Sequence, residues 1–172
     1  MSQAGFLPFM LADIRAGLRY ALMGAKYARM VLLVSLMAIF AVSLLYSDLP
    51  RSQAHELAST NSAAIFAVGV LLIPFVETFM GQSLPIEIGR RVTKGHRNLM
   101  IILSALFFGA GHTLTDGMAH GITTFFIGVI LAHAYSSMRD EGIVASVSVT
   151  FIAHALNNVA LFFVVMPLFG NV

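Results

Sequence analysis

The sequence predicts an all-α protein, a polytopic transmembrane bundle of about five spans. Three observations predict it. Hydrophobic residues make up 58% of the 172-residue chain and charged residues only 10%, against roughly 45–50% and about 25% in ordinary soluble domains. The apolar residues gather into stretches near the ~20 residues that cross ~30 Å of hydrocarbon at 1.5 Å per residue. The cations gather between those stretches, where orientation in a membrane is decided.

The spans read in order as follows. The first covers Met30 to Tyr46, with Tyr27 as an earlier start. The second runs from Ser62 through Gly81 and continues as helix to Arg90. The third is Asn98 to Thr115, the fourth Met118 to Met138, and the fifth Gly142 to Phe169, ended by Pro167 and Gly170. Residues 1–29 form an amino-terminal segment, and 30–172 form a single bundle. Within residues 8–29, Arg15, Arg19, Lys26 and Arg29 fall within about 80° on a helical wheel, as in a helix lying on a membrane surface. Leu11 and Leu22 share that arc.

Those four cations precede span one, and Arg51 alone lies between spans one and two. Arg90, Arg91, Lys94 and Arg97 lie between spans two and three; none lies between three and four; Arg139 follows span four. The positive-inside rule then places the amino terminus in the cytoplasm and the carboxy terminus outside, the same parity that five spans give. The expected location is the plasma (inner) membrane, with the lipid bilayer as first partner. Met1 to Met10 lacks the pattern of a cleaved leader. A net charge of +2 gives no reason to expect nucleic acid. The absence of cysteine excludes disulfides, thiolate metal sites and a cysteine nucleophile.

Several polar residues interrupt the apolar spans. Glu77 is the sole ionisable group between Leu57 and Pro85. A carboxylate at the centre of a membrane helix costs at least ~2.5–3.5 kcal/mol without a partner. His112 lies near the end of span three, and His154 lies midway along span five, before Asn157 and Asn158. Glu77 is 13 residues before Arg90, His112 is 15 after Arg97, and His154 is 15 after Arg139. Each is therefore about 20–23 Å from a basic boundary, in one layer of the bundle. Phe108 and His112, Thr78 and Gln82, and His154 and Asn158 are i, i+4 pairs. A carboxylate, two imidazoles and an amide in one dry cavity suit activation of water and stabilisation of an oxyanion. His96, His120 and His133 read as interfacial or solvated, and Asp116 as an outer-loop residue. Glu87 reads as a helix-end partner of Arg90 and Arg91. Gly128 and Ala132 form a close-packing step.

These residues resemble the CPBP (CAAX protease and bacteriocin-processing, Abi) family of intramembrane endopeptidases. That family carries Glu-Glu-x-x-x-Arg, Phe-x-x-x-His and His-x-x-x-Asn motifs on successive core helices. Here the second reads Phe108-Gly-Ala-Gly-His112 and the third His154-Ala-Leu-Asn-Asn158. The stretch Phe126 to Tyr135 is similar to the family's apolar, glycine-containing helix, and the likeness covers about residues 62–165. The first motif departs from the pattern, reading Glu77-Thr-Phe-Met-Gly-Gln82. The first Glu is kept, and an i, i+4 ion pair becomes a neutral pair, Thr78 with Gln82.

The resemblance implies hydrolysis of a peptide bond in a membrane-embedded or lipidated peptide. Carried over by position, Glu77 and His112 activate water, and His154 and Asn158 hold the oxyanion. Thr78 and Gln82 orient Glu77, and Phe108 packs the site. No cofactor is expected on this reading, because a ligating Glu77 would leave no second carboxylate to take the proton. The metal alternative is zinc on Glu77, His112 and His154. The other function classes are a non-catalytic membrane scaffold or immunity factor, and a small proton or ligand transporter. No repeated halves favour a transporter, and no Gly-x-Ser-x-Gly element favours a serine protease.

Overall fold

Helices form where the apolar stretches lie. The computed structural model describes residues 3–45 and 62–169, and no strand occurs among them. Helix α1 is Gln3–Ser43. Helix α2 is Ile65–Val92, entered through a turn at Ser62–Ala64. Helix α3 is Arg97–Asp116, and α4 is Met118–Met138, followed by a 3₁₀ turn at Arg139–Glu141. Helix α5 is Ile143–Ala160, and it winds on through Leu161–Val165 to Met166–Phe169. All five are long and apolar enough to span a membrane. Arg51, Tyr46 and Gly170 lie outside the described residues.

The first helix differs from expectation. It runs 41 residues without a break at Tyr27 or Met30. That is about 60 Å of helix, twice the ~30 Å of hydrocarbon and still an excess at tilts of up to ~40°. No proline or glycine lies between Gly24 and Ser43 to interrupt it.

Helices α1 and α5 run parallel. Arg19 pairs with Glu141 at one end, Gly24 faces Val149 and Ile152, and the Ser35 hydroxyl meets Asn157 further along. The Tyr27 hydroxyl donates to Ser137 Oγ on α4 at 2.9 Å. Tyr27, Val31, Leu131, Val149 and Ala153 belong to one buried cluster. A second cluster joins Ile86, Ile101, Ala132 and Tyr135 across α2, α3 and α4. Glu87 makes its hydrogen-bonded ion pair with neither of the residues the spacing alone suggested, Arg90 and Arg91, although the Arg90 charge does act on it. Its carboxylate accepts from Arg139 at 2.5 and 3.1 Å and from the Tyr135 hydroxyl at 3.1 Å. The reason is orientation: the face of α2 that carries Glu87 packs towards the end of α4. These pairs bring Arg19, Glu87, Arg139 and Glu141 to one end of the bundle.

Without a hydrophobic force between helices in lipid, close approach depends on small residues. Gly117, at φ 90°, makes the α3–α4 turn in a conformation that L side chains rarely adopt. A Cβ on Gly109 would lie 2.9 Å from the Gly121 carbonyl oxygen and 3.2 Å from Phe125 Cα. Gly128 lies against Ala105 and Phe108, and Ala132 is fully buried. Gly17, by contrast, faces open space.

Gly109→Ala is expected to cost about 1–3 kcal/mol, because backbone rather than a mobile side chain blocks the methyl group. Gly17→Ala is expected to be neutral or mildly stabilising. Unfolding curves of both variants in detergent check this, and equal stabilities would refute the close α3–α4 approach.

Candidate active site

Two prolines shape the helix that carries Glu77. In an α-helix Ile73 N–H would serve the Gly69 carbonyl, but here it reaches back five residues to Val68. Pro74, next in line, has no N–H to give. The Gly69 carbonyl is freed, and Asn158 Nδ2 of α5 donates to it at 3.0 Å. Leu84 N–H likewise reaches back to Phe79, and Pro85 has none for Gly81. Ser104 Oγ of α3 donates to the Gly81 carbonyl at 2.7 Å. The wide turns are Ile65–Leu72 and Thr78–Ser83, and Glu77 ends the α-helical segment between them.

Glu77 meets the two histidines expected at its depth. Its Oε1 lies 3.4 Å from His112 Nε2, and its Oε2 lies 3.3 Å from His154 Nε2. Phe108 stands beside both imidazoles, with ring centroids 4.7 Å from His112 and 6.0 Å from His154, each edge-on. The Phe108 ring has this position because Gly81 and Gly128 leave room for it; a Cβ on either would lie 2.6 or 3.1 Å from the ring. Glu77, Gly81, Phe108, His112 and His154 line a cavity of about 530 Å³, together with Asn157 and Asn158. Its walls are otherwise mainly apolar, including Ile73, Met80, Ile127 and Phe162.

Asn158 is held by a relay. Ser35 Oγ lies 3.3 Å from Asn157 Oδ1, Asn157 Nδ2 donates to Asn158 Oδ1 at 3.4 Å, and Asn158 Nδ2 donates to Gly69. Neither Ser35 nor Asn157 was assigned a part from the sequence alone. Asn157 stands next to a motif residue; Ser35 lies on α1, far from every motif.

Thr78 and Gln82 do not form the expected hydrogen bond. Both are fully buried, and Thr78 Oγ1 and both amide atoms of Gln82 have no hydrogen-bond partner. The wide turn winds from residue i to i+5 there, so α-helical i, i+4 register is lost. Their orienting bond to Glu77 is absent as well.

Two residues read as peripheral belong to the cavity. Asp116 closes α3 rather than lying in a loop, and its Oδ2 is 3.7 Å from His112 Nδ1. The His120 ring packs edge-on against His112 at 5.1 Å. The sequence signal was present: His112, Asp116 and His120 recur every fourth residue across the Gly117 turn. His96 and His133 are exposed and away from the cavity, His133 beside Tyr27. Among the described residues, the group whose ligand atoms lie close enough to share a metal ion is His112, Asp116 and His120. Glu77, His112 and His154 do not form such a group.

Asn157→Ala is expected to cost about 1–3 kcal/mol, since it strands the Asn158 oxygen in a partly buried relay. Leu156→Ala, at an exposed position next door, should cost less. Thermal unfolding in detergent compares them, and equal losses would remove the relay from the account.

Residues 59–160 match the type II CAAX prenyl endopeptidase Rce1-like family, more than half of the chain, which therefore belongs to that family. The match confirms the resemblance read from the motifs. No curated protein and no solved structure matches the chain.

Proposed function

We propose that this chain, a member of the type II CAAX prenyl endopeptidase Rce1-like family, is an intramembrane endopeptidase that uses Glu77 as its general base. The observation that carries the reading is the Glu77 carboxylate set between two imidazole Nε2 atoms, at 3.4 and 3.3 Å, in a largely apolar cavity. Glu77, assisted by His112, takes a proton from water as the water oxygen adds to the scissile carbonyl carbon. His154 and Asn158 stabilise the resulting oxyanion. The C–N bond then breaks, and the proton held by Glu77 passes to the departing amine. Phe108 keeps the imidazoles in place.

The substrate class supported by the family and the apolar walls is a membrane-associated or lipidated peptide. Mapping peptide termini in membranes of cells expressing wild type or Glu77→Gln at matched abundance tests the reaction. Termini found only with wild type are expected, with cleavage reduced at least about 100-fold in the variant. Asn158→Ala is expected to lose about 100- to 1,000-fold, as for an oxyanion donor. Identical termini with and without the carboxylate would sink the enzyme reading and favour a scaffold or transporter.

We also infer that the amino terminus and the α2–α3 connection face the cytoplasm, as the cation distribution supports. The chain has no cysteine, so His96→Cys supplies a single reporter in that connection. A membrane-impermeant maleimide should label it only after permeabilisation. Labelling of intact cells would invert the orientation.

A further inference from the structure

We propose that His112, Asp116 and His120 form a binding site for a divalent transition-metal ion of the zinc class. The site goes beyond the proteolytic reading and stands whether or not the protein cleaves peptides.

Three potential ligand atoms, one from each residue, all lie within 4.8 Å of one another. Tetrahedral zinc with bonds of ~2.0–2.1 Å holds its ligand atoms about 3.4 Å apart. His112 Nδ1 and Asp116 Oδ2 are 3.7 Å apart, and His120 stacks edge-on against His112. Closing the set to tetrahedral spacing moves ligand atoms by up to about 1.4 Å. The donors are two imidazoles and a carboxylate, a combination suited to zinc and its neighbours rather than to calcium or magnesium. Three protein ligands leave a fourth position for water.

The backbone brings the trio together. His112 and Asp116 are one turn apart on α3, and Gly117 folds α4 straight back so that His120 returns to the same side. The contact of Gly109 with Gly121 holds the two helices close enough for this. All three side chains are partly exposed and line the cavity at its α3–α4 end, which gives an ion a route in. Thr115 Oγ1 donates to Asp116 Oδ2 at 2.7 Å, an outer bond of the kind that fixes metal ligands.

The far side of His112 fits the same arrangement. With Nδ1 on the ion, the ring proton is on Nε2, which faces Glu77 Oε1 at 3.4 Å. Metal-bound histidines generally donate their other nitrogen to a carboxylate, carbonyl or water. An ion here thus ties the α3–α4 turn together and fixes the orientation of His112 towards Glu77.

The test is binding of Zn²⁺ and Co²⁺ to the purified full-length protein in detergent, with any polyhistidine tag removed. One equivalent is expected, with cobalt d–d absorption and a rise in melting temperature on adding zinc. Asp116→Asn and His120→Ala should each weaken binding at least about tenfold. His154→Ala, outside the trio, should keep it. His120→Cys, which retains a ligand, should still bind cobalt and add a sulfur-to-cobalt charge-transfer band, a readout that misfolding cannot mimic. The proposal fails if wild type binds neither ion. It also fails if cobalt binds His120→Cys without the band, or if His154→Ala abolishes binding while His120→Ala does not.

Discussion

The rest of the bundle depends on two backbone carbonyls in α2. Inside a membrane each carbonyl must find a donor within the protein. Pro74 and Pro85 each withdraw one, and the turns before them widen. The carbonyls of Gly69 and Gly81, eight residues before and four after Glu77, accept instead from Asn158 of α5 and Ser104 of α3. Bonds across helices therefore replace bonds along one. They fix α2 against the two helices that carry the histidines, so the backbone sets the position of Glu77. Had Thr78 and Gln82 done so, these two side chains would be bonded; they are not.

Charge follows from the same setting. A buried ion stripped of its partner costs several kcal/mol. The family pattern places a second Glu and an Arg in this helix, where the chain has Thr78 and Gln82, both fully buried and both neutral. Replacing the pair together avoids a stranded charge. Glu77 keeps company with groups on other helices, and the three differ in access. The His154 side chain is 6% exposed, His112 18% and Glu77 24%. On the proposed reading, water entering the cavity meets Glu77 and His112, while His154 forms the floor against which a carbonyl oxygen comes to rest.

What the sequence disclosed follows the same physics. Spans two to five were legible to within a few residues because apolar length and flanking cations are imposed by the bilayer. The common depth of Glu77, His112 and His154 was legible because helix rise is nearly constant. The continuity of α1 was not, since cations on a helix look alike whether it ends or continues past the membrane face. Glu87 was misread because i, i+4 spacing says which neighbours are near and not which way a helix turns. Thr78 and Gln82 were misread because their spacing assumes α-helical winding. Pro85, three residues on, signalled that it would fail. Asp116 and His120 were set aside because a residue at a helix end reads as solvated until the turn after it is known. Gly117 decides that turn.

The motif-bearing helices are not self-sufficient, and α1 shows why. The family match begins at residue 59, yet Ser35 of α1 touches Asn157, whose amide bonds Asn158 on the way to the Gly69 carbonyl. An amide can rotate by half a turn and exchange donor for acceptor; Asn158 presents its nitrogen to the Gly69 carbonyl of α2, and its oxygen is engaged by Asn157. The Ser35 hydroxyl has one proton, shared between the Val31 carbonyl at 2.8 Å, one turn back on α1, and Asn157 Oδ1 at 3.3 Å. Its contact with Asn157 is the weaker of the two. In the 3₁₀ turn that leads into α5, Arg19 of α1 holds Glu141. One long helix thus meets the approach to α5 and, further along, α5 itself. The donor face of Asn158 is thus set first by the Gly69 carbonyl it serves. Asn157, and beyond it a helix that carries none of the family motifs, pack behind its oxygen.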